Sequence, residues 1–476
     1  MAILHGLITD KTTNESCFSK VRVIDSKGDF CKPEVSTVKI GPGLPFFYSS
    51  GEFYVDVPRG PTDVLVERGT EYVPLHKTFY APKKGMVELP LELERWSELT
   101  QNGWYPGNTH IHYDENEQDS DTRLKLDPLV HDFNVTVISI LERGDLDYAT
   151  NKYPIGFLNE FSSETHLVDV GEESRHNKEP WEIGYGHVMF INIKDRVEPI
   201  SRGILVDQYQ ADYPPLSAAC DDAHNQGGLT IWCHNGNGME APVAAILGKL
   251  DAFNLFDPYW ADLEYDIYYK LLNCGVKLPV STGSDWFVCN NNRVYVQVGN
   301  KFRYDDWLSG MKKGRTFITN GPSLFLQSND TFLGESIEIT NGTMDLQLEW
   351  KSHYPINTVE LILNGNIISK KCFPEGSQQG EWETNIQVTT NGWLAARCTG
   401  AARDSFHHSM FAHTSPIYIQ TGHRSKELDQ SAKYFIDKID EGKEWILNKG
   451  IFSSNQQKQE ILSLFTQGKS KFIELI

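Results

Sequence analysis

The chain has 476 residues, too many for a single core, so two to four domains are expected. Lys and Arg total 44 against 64 Asp and Glu, and the resulting formal charge of −20 argues against nucleic acid and anionic membrane surfaces as partners. The eight cysteines, at 17, 31, 220, 233, 274, 289, 372 and 398, form no Cys-x-x-Cys pair, which argues against zinc ribbons and a disulfide framework and for reduced thiols.

The N-terminal stretch MAILHGLITDKTTNESC has no basic region followed by a long apolar run, and no later segment holds 18 uninterrupted apolar residues. A soluble, cytoplasmic protein is the expectation. Residues 1–98 carry short alternating runs such as KVRVID, EFYVDV and TDVLVE between Gly and Pro turns, the pattern of a small β-sandwich. Its segment GEFYVDVPRGPTDVLVERGTEY resembles the carboxypeptidase-regulatory-like fold, an accessory module without chemistry of its own. Residues 99–325 change character: apolar strands such as VTVISIL, HVMFINI, LTIWC and KLPVSTG alternate with helix-compatible stretches, as in an α/β barrel. Alternation returns in DLQLEW, VELILNG and WLAARC, which predicts a second β-sandwich over 326–422. The tail, 423–476, spaces its apolar residues at helical period and reads as two amphipathic helices.

The stretch GNTHIH sets His110 and His112 one residue apart, so on a strand both imidazoles reach the same point, an arrangement suited to a metal ion. Among 15 histidines such a pair also arises by chance, and further ligands must converge on it. Ligand-type residues directly follow apolar strands at Glu142, His234 and Asp285, the position at which barrels place their sites. Between them, Glu173 and Arg175 alternate on one face of VGEESR, and His187 heads the apolar run of YGHVMFIN. Imidazoles and carboxylates together suit Zn, Mn or Fe, and a carboxylate can bridge two ions. Each candidate has a plainer role: a solvated edge charge for Glu173, an ion pair with Arg143 for Glu142, a backbone-bonded turn histidine for His234, a turn cap for Asp285.

Taken in order, GNTHIH, VGEESR, YGHVMFIN, WCHNGNG, STGSDW, NRVYVQV and WLSGMKKGRTFITNGP resemble the CehA/McbA branch of the polymerase and histidinol phosphatase (PHP) metallohydrolases over about residues 100–330. The resemblance implies a multidomain α/β plus β protein with a distorted (β/α)7 barrel and a metal cluster at its C-terminal strand ends. It also implies that His110 and His112 match the first-motif pair, Glu173 the Gly-x-Glu carboxylate, His187 and His234 the later histidines and Asp285 the final aspartate. The chain departs from the pattern at Asn108, where an aspartate is common, and in TGSDW, which lacks a following histidine. One or two divalent ions are therefore expected instead of three.

A bound divalent ion lowers the pKa of its water toward neutrality, so hydrolysis is the natural reaction. Arg175 and Arg293 are candidates to neutralise an anionic intermediate or a phosphate, with a structural ion pair as the alternative for each, and Asn320 lines the rim or initiates the Gly-Pro turn. A small phosphoester ranks slightly ahead of a carbamate or carboxylic ester of the CehA type. From a different class, two sandwiches and 11 Trp, 20 Tyr and 24 Phe also suit a carbohydrate- or protein-binding protein with a degenerate barrel.

Overall fold

A computed structural model of the chain describes all residues except 40–42, 114–118, 142–151, 179–182, 200–210, 257–263 and 286. The candidate Glu142 lies outside the described residues.

The N-terminal strands are β1 (Ala2–Asp10), β2 (Ser19–Ile24), β3 (Phe30–Cys31), β4 (Phe47–Ser49), β5 (Glu52–Val57), β6 (Gly60–Glu67), β7 (Leu75–Ala81) and β8 (Gly85–Leu93). One sheet has the order β5-β1-β8 and a second the order β3-β2-β6-β7, with β4 on β2. The alternation read in EFYVDV is the reason: Phe53, Val55 and Val57 turn inward while Glu52, Tyr54 and Asp56 face water, and the inward set packs with Leu4, Val21, Val64 and Leu91. Hydrogen bonds tie this unit to the middle of the chain. Asp132 accepts from Arg68 at 3.1 Å and from Arg95 at 2.8 Å, and the Tyr48 hydroxyl donates to Asp127 Oδ1 at 2.8 Å.

The middle of the chain supplies β9 (Trp104–Ile111), α1 (Ser120–His131), β10 (Val135–Ile140), β11 (Gly156–Phe157), β12 (Leu167–Lys178), β13 (Ile183–Ile191), α2 (Leu216–Asn225), β14 (Leu229–Trp232), α3 (Ala241–Ile246), β15 (Ala252–Phe256), α4 (Asp266–Asn273), β16 (Val280–Thr282), β17 (Arg293–Gln297), α5 (Tyr304–Lys312) and β18 (Thr316–Thr319). Ladder pairings give the order β16-β15-β14-β13-β12-β10-β9-β17-β18. Strands β9, β10 and β12 run parallel, as do β14, β15 and β16, and β13 runs antiparallel to both of its neighbours. This is a mixed sheet, and the distorted (β/α)7 barrel expected from the sequence is not shown. Between β16 and β9 no ladder is formed among the described residues. They meet instead through Thr109 Oγ1, which lies 3.0 Å from Ser281 Oγ and donates to the carbonyl of Thr282 at 3.0 Å. The local reason for β13 is that only residues 179–182 separate it from β12, too few for a helical crossover, so the two strands pair antiparallel.

Beyond these, β19 (Ser323–Gln327), β20 (Ser336–Glu338), β21 (Thr343–Leu363), β22 (Asn366–Gln387), β23 (Gly392–Arg403), β24 (Ser409–Thr414) and β25 (Ile417–Gln420) pair around β21 and β23. They are joined to the middle sheet by the pairing of β18 with β24. The two last helices, α6 (Lys426–Asn448) and α7 (Asn455–Glu474), start at Ser425 and Ser454, whose hydroxyls accept from Leu428 N and Gln457 N. Their buried stripes, Phe435, Ile439 and Ile446 on one and Ile461, Phe465 and Phe472 on the other, join the core formed by Trp232, Phe253 and Tyr268. Among the described residues, no helix is long and apolar enough to cross a membrane.

Candidate metal centre

Every residue of β9 is buried, and its end delivers His110 and then His112 into the interior. His112 Nδ1 lies 2.7 Å from the carbonyl oxygen of Ser139 on β10. A carbonyl only accepts, so Nδ1 carries the proton and Nε2 of the neutral ring presents its lone pair to the centre. On β12, Glu173, Arg175 and Asn177 alternate along one face. Strand β13 sets His187 directly opposite Arg175, and the amide oxygen of Asn177 hydrogen-bonds His187 Nε2. That fixes the proton on Nε2 and leaves Nδ1 of His187 as an acceptor.

His234 and Asp285 come from the turns after β14 and β16, and both hold left-handed backbone, with φ of +51° and +43°. Non-glycine residues in this region cost conformational energy and concentrate at functional sites. The Asp285 turn is fastened to β9: the backbone N–H groups of Ser284 and Asp285 both donate to the carbonyl of His110 at 2.9 Å. So close an approach requires Gly283, because a Cβ there would sit 2.5 Å from His110 N.

These turns and strands converge. His110 Nε2 lies 3.2 Å from His112 Nε2, 3.3 Å from Glu173 Oε2 and 3.0 Å from Asp285 Oδ1. His112 Nε2 lies 3.2 Å from the same Glu173 oxygen and 3.5 Å from the same Asp285 oxygen. Four ligands bound at about 2.0–2.1 Å around a tetrahedral ion stand about 3.3 Å from one another, and these donor atoms already keep that spacing. The second oxygen of each carboxylate faces the other way. Glu173 Oε1 is 3.2 Å from His187 Nδ1 and 3.5 Å from His234 Nε2, and Asp285 Oδ2 is 3.1 Å from His234 Nδ1. Arg175 Nε lies 3.1 Å from Glu173 Oε1 and donates to His187 Nδ1 at 3.3 Å. His110, His112, Glu173, Arg175, His187, His234 and Asp285 thus meet, whereas Arg293 and Asn320 do not, and the two nitrogens and two oxygens offered by His110, His112, Glu173 and Asp285 fit a divalent transition metal.

The charges explain one another. Burial pushes the Glu173 and Asp285 carboxyls up, but Arg175 and His110 for the first, and His110 and His234 for the second, outweigh it and hold both well below the usual carboxylate range. Burial likewise opposes a charge on His110, yet Asp285 and Glu173 raise it well above an ordinary histidine. Two buried carboxylates thus demand a cation at this point, and either a proton on His110 or a divalent ion answers the demand. His187, by contrast, is driven down to about 3 by burial and by Arg175, so it stays neutral.

Arg293 points elsewhere. It is fully buried, donates to the carbonyls of Asn291 and His131 and lies over the ring of Phe133, making no contact with the cluster among the described residues. Its position at the start of β17, on the face toward α1, carries the guanidinium to the end of that helix. Asn320 braces β24 by accepting from Phe411 N and donating to the carbonyl of Ser409. Three contributors escaped the sequence reading. Asn177 continues the two-residue spacing of Glu173 and Arg175, a signal that was present in the pattern. Cys233 groups with Glu173 and His234, and burial pushes its thiol up, so it stands beside His110 as a neutral thiol. Ser139 acts through a backbone carbonyl, which no residue pattern reveals.

No protein-family model and no curated protein matches the chain. Among solved structures, a two-domain protein from Bacteroides vulgatus containing a predicted PHP-like metal-dependent phosphoesterase is similar, with a TM-score of 0.35 and 10% identity, over 66% of this chain and 94% of that one. The Bacillus anthracis TIE protein is similar with a TM-score of 0.15 and 8% identity, over 89% of this chain and 49% of that one. Scores at this level do not establish a common fold.

Proposed function

We propose that the chain is a metal-dependent hydrolase acting on a small phosphoester. The observation that carries this reading is the meeting of His110 Nε2, His112 Nε2, Glu173 Oε2 and Asp285 Oδ1 at the spacing of a ligand shell. His110, His112, Glu173 and Asp285 would hold the ion. When bound, it would supply Lewis acidity and a water acidified toward neutral pH.

The remaining steps belong to the chain's own groups. His110 and Glu173 side chains are fully buried and serve only as ligands, whereas Asp285, His234 and Arg175 side chains are 13%, 13% and 14% exposed. A substrate therefore meets the cluster from their side. His234 stands at that edge with Nδ1 3.1 Å from Asp285 Oδ2, a carboxylate partner that orients the imidazole for proton transfer. Arg175 supplies fixed positive charge for an anionic group, which favours a phosphoester over a neutral carbamate or ester. With a net charge of −20, a small anionic molecule suits the protein better than a polyanionic polymer.

The test is elemental analysis of the purified protein followed by a parallel panel of aryl phosphates, bis-aryl phosphates, aryl carbamates and aryl esters with Zn, Mn and Fe, using Asp285→Ala as control. Phosphate turnover that disappears in the control supports the proposal. Turnover of carbamates or esters alone replaces the substrate class, and protein without stoichiometric metal returns the binding-protein reading.

A further inference from the structure

We infer that Arg175 is a built-in second cation that limits the centre to a single metal ion. The inference rests on the proposed metal site and concerns its other half, where His187 Nδ1, His234 Nε2 and Glu173 Oε1 converge. Two imidazole nitrogens and a carboxylate oxygen shared with the first half are the parts of a second metal position. A cation already stands there.

The decisive detail is the single lone pair of His187. Its Nε2 proton is committed to Asn177, so Nδ1 is the ring's only acceptor, and Arg175 Nε donates to it at 3.3 Å. The same Nε lies 3.1 Å from Glu173 Oε1. One lone pair serves one partner, and a metal at this position would have to displace the guanidinium. Charge points the same way. Among the described residues, Glu173 and Asp285 contribute two negative charges, which one divalent ion balances, and Arg175 adds a third positive charge. A second divalent ion beside the guanidinium would meet like charge at close range, which is costly in a low-dielectric interior. Backbone register makes the arrangement local and durable: Arg175 is two residues from Glu173 on β12 and opposite His187 on β13, so no loop movement is needed to form it. Arg175 thereby acts as a positioning residue for Glu173 and His187, besides presenting charge to a substrate.

The test is metal stoichiometry, measured on the full chain by cobalt(II) titration calorimetry and by elemental analysis after dialysis. Wild type is expected to bind one ion per chain, Arg175→Lys one, and Arg175→Met two, since the methionine keeps bulk but vacates the acceptor of His187. His187→Ala is expected to retain the single ion with affinity changed less than about threefold, while His112→Ala loses it by 10-fold or more. This pair of variants decides the matter even if Arg175→Met does not fold. Two ions in wild type, one ion in folded Arg175→Met, or loss of the ion in His187→Ala overturns the inference and leaves the hydrolase reading intact. No ion in wild type removes both.

Discussion

Asn108 Nδ2 donates to Ser284 Oγ at 2.8 Å, while Oδ1 of the same amide accepts from the backbone N–H groups of Ser284 at 3.1 Å and His110 at 3.2 Å. One side chain thus clamps the strand bearing His110 to the turn bearing Asp285. An aspartate could make the two acceptor contacts but not the donor one, and it would add a third negative charge beside Glu173 and Asp285.

That clamp leads to the first prediction. Asn108→Asp and Asn108→Ala should both fold and both lower zinc affinity by about 10- to 100-fold, the usual cost of losing a group that orients ligands. Competition with a chromogenic chelator measures it. Wild-type affinity in Asn108→Ala would show that the turn is held by its backbone bonds to His110 alone.

A second prediction concerns Gly283. A Cβ at this position would lie 2.5 Å from His110 N and 2.7 Å from His110 Cβ, with Asn108 Oδ1 at 2.8 Å. Two of these atoms belong to a fully buried strand end and none is a flexible tip. Gly283→Ala should therefore cost roughly 1–3 kcal/mol in urea unfolding and lower metal content with it. A variant with unchanged stability and unchanged metal content would mean that the turn relaxes without moving Asp285.

His234 and Asp285 were legible because they follow strand ends, and alternation placed His110 with His112 and Glu173 with Arg175. Asn108 was legible only as a departure from a motif; its work as a clamp depends on Ser284, 176 positions away. Arg293 illustrates the opposite error. It lies close in sequence to the Asp285 turn, but β17 runs antiparallel to β9 and directs its guanidinium to the end of α1. The mixed α/β character was legible and the strand directions were not: apolar runs announce strands without announcing direction, and β13 reads the same whether parallel or antiparallel.

A third prediction tests the junction between the N-terminal sheets and α1. Asp132 is held down to about 2, burial being overcome by Arg68 and Arg95. A folded pKa below the unfolded value of about 3.9 gives stability that is present above pH 4 and lost as pH falls through 2. At neutral pH the pair is worth roughly 2 kcal/mol. Asp132→Asn should lose about this amount in denaturant unfolding at pH 7 and lose progressively less between pH 4 and pH 2. A penalty independent of pH would mean that shape, and not charge, holds Asp132.

The last prediction joins the metal to pH through His110. In the metal-free protein this ring is raised well above its ordinary value by Asp285 and Glu173, against the opposing effect of burial. A group raised on folding contributes stability that is fully present below its unfolded pKa of about 6.5 and is lost as pH rises through the folded value. The metal-free protein therefore loses this support on going alkaline, while Glu173 and Asp285, both depressed, remain ionised and in need of a cation. A divalent ion meets that need without a proton. It must first displace the one on His110, so binding is weaker and releases more protons at low pH. The rise in melting temperature on adding zinc(II) should accordingly widen from about pH 6 to about pH 8, and calorimetry in buffers of different ionisation enthalpy should show proton release on binding near pH 7. A zinc increment that is flat across this range, with no proton released, would show that His110 carries no proton for the metal to displace.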